Sequence, residues 1–284
     1  MSLQQEPLQQ FIKAALQEDI GSGDHSTLSS IDTGARGKAV LKIKENGVLA
    51  GMEVAAAVFR FKEADIVFEP HKADGDTMHY GETAFTVSAS VHTILQCERV
   101  VLNCMQRMSG IATLTRSYTE KLKGYHTRLL DTRKTTPNFR LLEKEAVRIG
   151  GGTNHRFGLY DMIMLKDNHI DYCGGIEKAI EKAYRYVQEN DFRLRIEVET
   201  RNLEDVKKVL QIGKVDVIML DNYTPAQVKE AVDLIAGRFQ TEASGGINLD
   251  TLQAYAETGV DFVSSGAVIH QARSLDLSLK AVLL

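Results

Sequence analysis

The chain has 284 residues, 43% apolar and 25% charged, which is ordinary for a globular protein able to bury a sizeable core. Its formal charge of −4 argues against a nucleic-acid binder, a class that usually shows a basic domain or stripe. No apolar run reaches the roughly 18 residues that a membrane span requires, and no basic region followed by an apolar stretch marks a secretory leader. Cys97, Cys104 and Cys173 include no C-x-x-C pair, which fits a reducing compartment and speaks against a zinc motif. A cytoplasmic protein is expected.

Along the chain, Leu8, Phe11, Ile12, Ala15 and Leu16 repeat at helical spacing, and Gly21-Ser22-Gly23-Asp24 ends that helix. Residues 38–43 and 47–50 read as strands around a turn at Glu45-Asn46-Gly47. Residues 51–61 read as a helix and 65–69 as a strand. Phe85, Val87 and Ala89 alternate with polar residues, the mark of a half-buried strand. A long helix is predicted over 93–123, with a break near Ser109-Gly110, and Cys97 and Cys104 on it are expected to be small core residues. Residues 1–111 therefore read as a mixed α/β unit.

From 112 to 284 the rhythm changes. Short β-rich runs at 128–131, 162–165, 194–199, 217–220, 241–243 and 262–264 alternate with helical patterns at 177–187, 203–210, 226–235 and 249–257. Such alternation argues for βαβ units and a parallel sheet. Six strands fall short of a complete eight-stranded barrel, so an open, incomplete α/β barrel is the first expectation and an open doubly wound sheet the second. The last residues of the chain are expected to return to the N-terminal domain.

Charge is unevenly spread. Residues 121–166 hold ten Lys and Arg against four acids, a local +6 in an acidic chain. Within this island, Thr132-Arg133-Lys134 and Gly150-Gly151-Gly152-Thr153-Asn154-His155-Arg156 read as loops where guanidinium forks and free N–H groups suit a small polyanion.

The predicted strand ends carry an unusual set of residues. They are Asp131 to Lys134, Lys166-Asp167-Asn168-His169, Glu197 with Glu199, Asp221-Asn222, Ser244-Gly245-Gly246 and Ser265-Gly266. In barrel enzymes the C-terminal strand ends form the active-site face, and the last loops often hold phosphate. Glu197 and Glu199, two apart on a strand, point to one face. With Asp221 they suit Mg²⁺ or ribose hydroxyls, or else an ion pair with Lys166 or Arg195. Lys166 is a candidate Schiff-base nucleophile or a fixed charge for an anion; the neighbouring Arg133, Lys134 and Arg156 favour the second role. His155 is a candidate ligand contact, and His169 and His270 lie at or beyond strand ends. His25, His71, His79, His92 and His126 have no such context. Arg99 and Arg107, eight apart on the long helix, sit on a charged face that is solvated unless the helix is packed on several sides.

Several segments, in order along nearly the whole chain, resemble the quinolinate phosphoribosyltransferase family. They are Glu18-Asp19-Ile20-Gly21-Ser22-Gly23-Asp24, Glu98-Arg99-Val100-Val101-Leu102-Asn103, Met108-Ser109-Gly110-Ile111-Ala112-Thr113, the stretches from Asp131 to Pro137 and from Gly150 to Arg156, Lys166-Asp167-Asn168-His169, Glu197-Val198-Glu199, Leu220-Asp221-Asn222 and Glu242-Ala243-Ser244-Gly245-Gly246-Ile247. The resemblance implies a type II phosphoribosyltransferase of NAD biosynthesis. It implies an N-terminal α/β sandwich (1–111), an open α/β barrel (112–284) and a homodimer with shared sites. The implied substrates are quinolinate and phosphoribosyl pyrophosphate, with Mg²⁺ as cofactor. Related non-quinolinate transferases and molybdenum-transport-associated homologues are the alternatives.

By matching motif, the resemblance places Arg99 of a partner subunit on quinolinate. Arg133, His155, Arg156 and Lys166 line the dicarboxylate and pyrophosphate pocket, with Thr132 and Lys134 beside them. Glu199 and Asp221 face the ribose and Mg²⁺. Ser244, Gly245, Gly246, Gly266, Ala267 and Val268 hold the 5′-phosphate, with His270 nearby. Lys134, Lys166, Glu199 and Asp221 are the expected catalytic set. One departure is visible: Asn138-Phe139 stands where the family often has Gly-Leu.

Overall fold

A computed structural model describes residues 5–282. The fold divides into two units, the first made of the chain up to Arg116, Thr135–Gly151 and the segment from Val268 onward, the second of Ser117–Lys134 and Gly152–Ala267. The division is thus made by several chain segments rather than by one cut.

In the first unit, α1 (Gln5–Ile20) buries Leu8, Ile12 and Leu16 and stops at Gly21, whose φ of 54° lies in the left-handed region. A short helix, α2 (His25–Ser30), follows. Its polar sequence has no apolar period to announce it; Asp24 caps it by accepting the Thr27 N–H at 3.1 Å. Next come β1 (Arg36–Ile43), β2 (Gly47–Val48), α3 (Met52–Lys62), β3 (Val67–Pro70), β4 (Thr77–Met78) and β5 (Thr83–Ser90). β2 is shorter than the expected 47–50, and β3 starts later than residue 65. The antiparallel sheet runs C-terminal strand, β1, β5, β3, with the C-terminal strand Leu277–Val282 paired to β1 so that Leu279 lies opposite Leu41. Ala39, Leu41 and Ile43 of β1 and Phe85 and Val87 of β5 are buried, and Phe59 of α3 meets Phe85 edge-on.

The long helix α4 (Val91–Lys121) is unbroken, so the expected break at Ser109-Gly110 is not there. That motif serves close approach instead. A Cβ on Gly110 would stand 1.8 Å from the Arg273 carbonyl oxygen. Ser109 Oγ accepts the Ala50 N–H (3.0 Å) and Thr113 Oγ1 accepts the Val48 N–H (2.7 Å), which satisfies backbone that β2 leaves unpaired. The same unit holds α5 (Arg140–Ile149), a helix missed in the sequence reading. Asn138 just before it has φ 61°, so the departure from the family's Gly-Leu keeps a residue that tolerates the left-handed region. Phe139 stacks edge-on against Phe11.

The second unit is built on β6 (Arg128–Leu130), β7 (Ile163–Leu165), β8 (Ile196–Thr200), β9 (Val217–Asp221), β10 (Gln240–Ser244) and β11 (Phe262–Ser264). All are parallel, in the order β6-β11-β10-β9-β8-β7. From β7 to β11 sequential strands are neighbours, without the reversal of a doubly wound sheet, while β6 lies at the far end beside β11 and is not paired with β7. This is the order of a barrel left open, as expected. α6 (Asp167–Cys173), α7 (Ile176–Glu189), α8 (Leu203–Ile212), α9 (Pro225–Ile235) and α10 (Leu252–Ala256) fill the crossovers. The amphipathic α7 buries Ile176, Ala179, Ile180, Ala183 and Val187. After β11 come α11 (Ala267–His270) and the C-terminal strand, β12. Among the described residues no helix is long and apolar enough to cross a membrane.

Candidate active site

Because β6 to β11 all run the same way, their C-terminal ends share one side of the sheet. Arg133 and Arg156 reach it from different loops. Thr153 forms a parallel bridge with Leu130, and its N–H donates to the Leu129 carbonyl (2.9 Å), so the second basic loop lies along β6. The fully buried Asp131 fixes the loop's course, accepting the His155 N–H at 2.8 Å and Asn154 Nδ2 at 2.7 Å. Burial, together with the positive charge of Arg133, lowers the pKa of Arg156. Two guanidiniums are therefore held close enough to repel. Arg133 Nε is buried without a hydrogen-bond partner among the described residues, while Arg156 Nη1 donates to the Met162 carbonyl at 3.3 Å. Lys134 is exposed, and its N–H donates to Thr132 Oγ1 at 3.0 Å.

Deeper in the sheet, His155 Nε2 stands 3.1 Å from Glu197 Oε2 and 3.2 Å from Glu242 Oε2, and neither acid is exposed. The single Nε2 vector is shared between two acceptors, and both oxygens of Glu197 and Oε1 of Glu242 have no aligned hydrogen-bond donor among the described residues. Burial disfavours charge on the ring, but the two carboxylates outweigh it and raise the His155 pKa to about 10. Burial and the charge of Glu242 raise that of Glu197. The cluster thus binds one proton more than a neutral ring and two carboxylates would hold. The Arg156 N–H points at His155 Nδ1 (2.7 Å), which only an unprotonated Nδ1 can accept. This geometry puts a ring proton on Nε2, where the two carboxylates share it. The three ligand atoms lie within 4.8 Å of one another and suit a metal chemically. Their contacts to Nε2, however, have hydrogen-bond length, and one shared proton accounts for them.

Glu199, two residues from Glu197 on the wholly buried β8, faces Lys166 at 3.5 Å. Its pKa is raised by burial, with Asp221 and Asp167 adding to the rise and Lys166 opposing it. Asp221 ends β9 and accepts from Asn222 Nδ2 at 2.6 Å. Glu199, with Asp221 and Asp167 within its electrostatic reach, forms a hard-oxygen donor set, which fits Mg²⁺. The alternative partner Arg195 hydrogen-bonds Gln240 instead. Lys166 is exposed and caps α6; His169 Nδ1 accepts its N–H at 3.1 Å, which gives His169 a capping role.

The loop after β10 approaches the loop after β9 very closely. Gly245 has φ 94° and Gly246 φ 64°, and a Cβ on Gly245 would meet Asn222 Oδ1 at 2.2 Å. The Asn222 N–H donates to the Ser244 carbonyl at 2.8 Å. Ser265 Oγ donates to the Ile247 carbonyl at 2.9 Å, tying the β11 end to the same loop. Glycine is required here for backbone proximity.

The second unit thus brings together Thr132, Arg133, Lys134, His155, Arg156, Lys166, Glu199, Asp221, Ser244, Gly245, Gly246, Gly266 and Ala267. Arg99, Val268 and His270 belong to the first unit; Arg99 and His270 are exposed, and Val268 is buried. The support that Glu242 and Asp131 give His155 is not visible in the spacing of the sequence. The available signal was a carboxylate inside an apolar parallel strand, a position that needs a partner.

Residues 24–109 match the family profile described as quinolinate phosphoribosyl transferase, N-terminal domain, and residues 111–280 match the C-terminal domain of the same family. The chain belongs to the quinolinate phosphoribosyltransferase family. The probable nicotinate-nucleotide pyrophosphorylase [carboxylating] of Bacillus subtilis is 43% identical over 266 residues, 94% of this chain and 90% of the relative. The chloroplastic nicotinate-nucleotide pyrophosphorylase [carboxylating] of Arabidopsis thaliana is 42% identical over 288 residues, covering 96% and 82%. The crystal structure of NadC from Streptococcus pyogenes superposes with a TM-score of 0.93 at 43% identity, covering 100% of this chain and 99% of that one.

Proposed function

We propose that this chain transfers the phosphoribosyl group of phosphoribosyl pyrophosphate to quinolinate with loss of CO₂, giving nicotinate mononucleotide and pyrophosphate for de novo NAD synthesis. The observation that carries this reading is the sorting of like charges at the strand ends. Arg133 and Arg156 crowd together at one place on this face, and the acids Glu199 and Asp221 at another. Crowded cations suit a dicarboxylate, and crowded acids suit a substrate centre that becomes cationic.

Attack by the pyridine nitrogen forms the N–C1 bond as the C1–O bond to pyrophosphate breaks. Glu199 and Asp221 stabilise positive charge at C1. Arg133, Arg156 and Lys166, with Thr132 and Lys134 beside them, bind the carboxylates and pyrophosphate. His155, with both ring nitrogens engaged, holds Arg156 in place. The backbone of Ser244–Gly246 and Gly266–Ala267 takes the 5′-phosphate. Once the ring nitrogen carries positive charge, the C2 carboxylate leaves as CO₂, and the electron pair left at C2 is stabilised by that nitrogen until it takes a proton. Mg²⁺ held near Glu199 and Asp221 supplies charge neutralisation for the pyrophosphate when bound.

The active form is a homodimer in which the exposed Arg99 of one subunit serves the other's site, and the enzyme works in the cytoplasm. The test is product formation with pure protein, Mg²⁺ and both substrates. Nicotinate mononucleotide should form from quinolinate and not from nicotinate. Product from nicotinate alone would overturn the acceptor assignment.

A further inference from the structure

One face of α4 grips the segment that follows β11. Gln106 Nε2 donates to the Leu277 carbonyl (3.0 Å), the Gln106 carbonyl accepts the Leu275 N–H (3.1 Å), and Gly110 lets the Arg273 backbone lie against the helix. Arg107 stands in the middle of this grip. Its Nη1 donates to the Ala272 carbonyl (2.5 Å) and its Nη2 to the Ile269 carbonyl (2.9 Å). Nε and Nη2 also fork onto Glu143 Oε1 of α5 at 3.0 and 2.9 Å. Glu143 is fully buried. It in turn accepts the Thr136 N–H on Oε2 (2.8 Å) and the Thr136 hydroxyl on Oε1 (3.0 Å).

Two chain segments are tied by this one ion pair. Thr136 is the third residue after Arg133, and Ile269 the third after Gly266. These are the segments that leave β6 and β11, which are neighbouring strands. Arg107 makes four hydrogen bonds and both oxygens of the buried Glu143 accept, so the pair is held firmly, and losing Arg107 leaves an uncompensated buried charge. On the first of these segments Thr136, Pro137 and Asn138 are all exposed, so the Glu143 contacts are its tie to the interior.

We infer that Arg107 and Glu143 are positioning residues, a strut that sets the Arg133–Lys134 segment and the Gly266–Val268 segment at the same time. The inference deepens the proposed function and rests on it. Neither residue touches substrate; both act through the segments they hold. Thr136 belongs to only one arm, so the two arms can be separated.

The experiment compares wild type, Arg107→Lys, Glu143→Gln and Thr136→Val by steady-state kinetics in both substrates, with thermal midpoints in parallel. Arg107→Lys keeps the charge but cannot make the fork. The strut predicts that Arg107→Lys and Glu143→Gln raise KM for quinolinate and for phosphoribosyl pyrophosphate together. A rise of about tenfold is expected for each, the scale of one lost hydrogen bond to a charged group. Thr136→Val, which leaves the phosphate-loop arm intact, should raise KM for quinolinate more than KM for phosphoribosyl pyrophosphate. Wild-type KM values in all three variants, or a fall in thermal midpoint with KM unmoved, would overturn the inference and leave the pair a stabilising contact only. If a variant folds too poorly to assay, Thr136→Val, an exposed substitution, still decides the quinolinate arm. Wild type failing to turn over quinolinate would instead sink the functional reading, so the two failures are distinct.

Discussion

The two ends of the parallel sheet carry similar residues and treat them in opposite ways. At the N-terminal ends of the strands, Asp216 accepts the Ile196 N–H at 2.7 Å, and Asp261 accepts both the N–H and the hydroxyl of Thr241 at 2.8 Å. Each acid there closes the gap between one strand and the next. A cleft of about 450 Å³ lies at that end, lined by Arg195, Asp216, Arg238 and Asp261 among others, so charges of both signs are mixed in it. At the C-terminal ends like charges are set together, Arg133 with Arg156 and Glu199 with Asp221, and Glu197 with Glu242 lies deeper in the same sheet. Residue type does not distinguish the ends. Whether the charges satisfy one another does, and the unsatisfied end is the one shaped for a charged ligand.

Breaking the unsatisfied end should cost function first. Arg133→Ala is expected to lose about 2–5 kcal/mol of transition-state binding, as when one partner of a buried charge pair is removed. The check is kcat/KM for quinolinate, with the thermal midpoint close to that of wild type.

The His155 cluster makes the comparison visible in pH. The folded ring binds its proton up to about 10, against an ordinary value of 6.5, so folding is favoured by protonation. The stability advantage of wild type over His155→Asn should be complete below 6.5 and shrink as pH rises. The slope is at most about 1.4 kcal/mol per pH unit, and the advantage is lost above about 10. Urea denaturation at a series of pH values measures it, and an advantage that grows with pH would contradict the assignment.

Asp261→Ala tests the satisfied end. It strands the Thr241 N–H and should destabilise by about 1–3 kcal/mol with both KM values unchanged. Glu242→Gln sharpens the contrast from the other side. It removes one of two buried like charges, so the thermal midpoint should hold or rise. At the same time kcat/KM falls about tenfold as His155 and Arg156 lose their setting. A variant that is less stable but fully active would reverse the contrast.

Much of this end was legible in the sequence because charge at a strand end is a local pattern. Arg133, Lys166, Glu199, Asp221 and the Ser244-Gly245-Gly246 turn stand where apolar runs stop. The six parallel strands were readable from their apolar runs, and the barrel order follows from their spacing. What was not legible depends on contacts far apart in the chain. Glu242 acquires meaning only when β10 lies near β8 and places it beside His155. Arg107 looks like one more charge on a helix until the carbonyls of Ile269 and Ala272 arrive 162 and 165 residues later. Gly110 read as a helix break because a glycine gives the same signal whether it bends a helix or admits a neighbouring backbone. The polar helix α2 depends on its Asp24 cap rather than on an apolar stripe.

The central claim, that the crowded charges at the C-terminal strand ends serve a decarboxylating phosphoribosyl transfer, is tested most directly by CO₂ release from quinolinate labelled in its C2 carboxyl group. Pure protein with Mg²⁺ should release label only when phosphoribosyl pyrophosphate is present, in step with pyrophosphate formation. Release without phosphoribosyl pyrophosphate, or no release with it, would contradict the account.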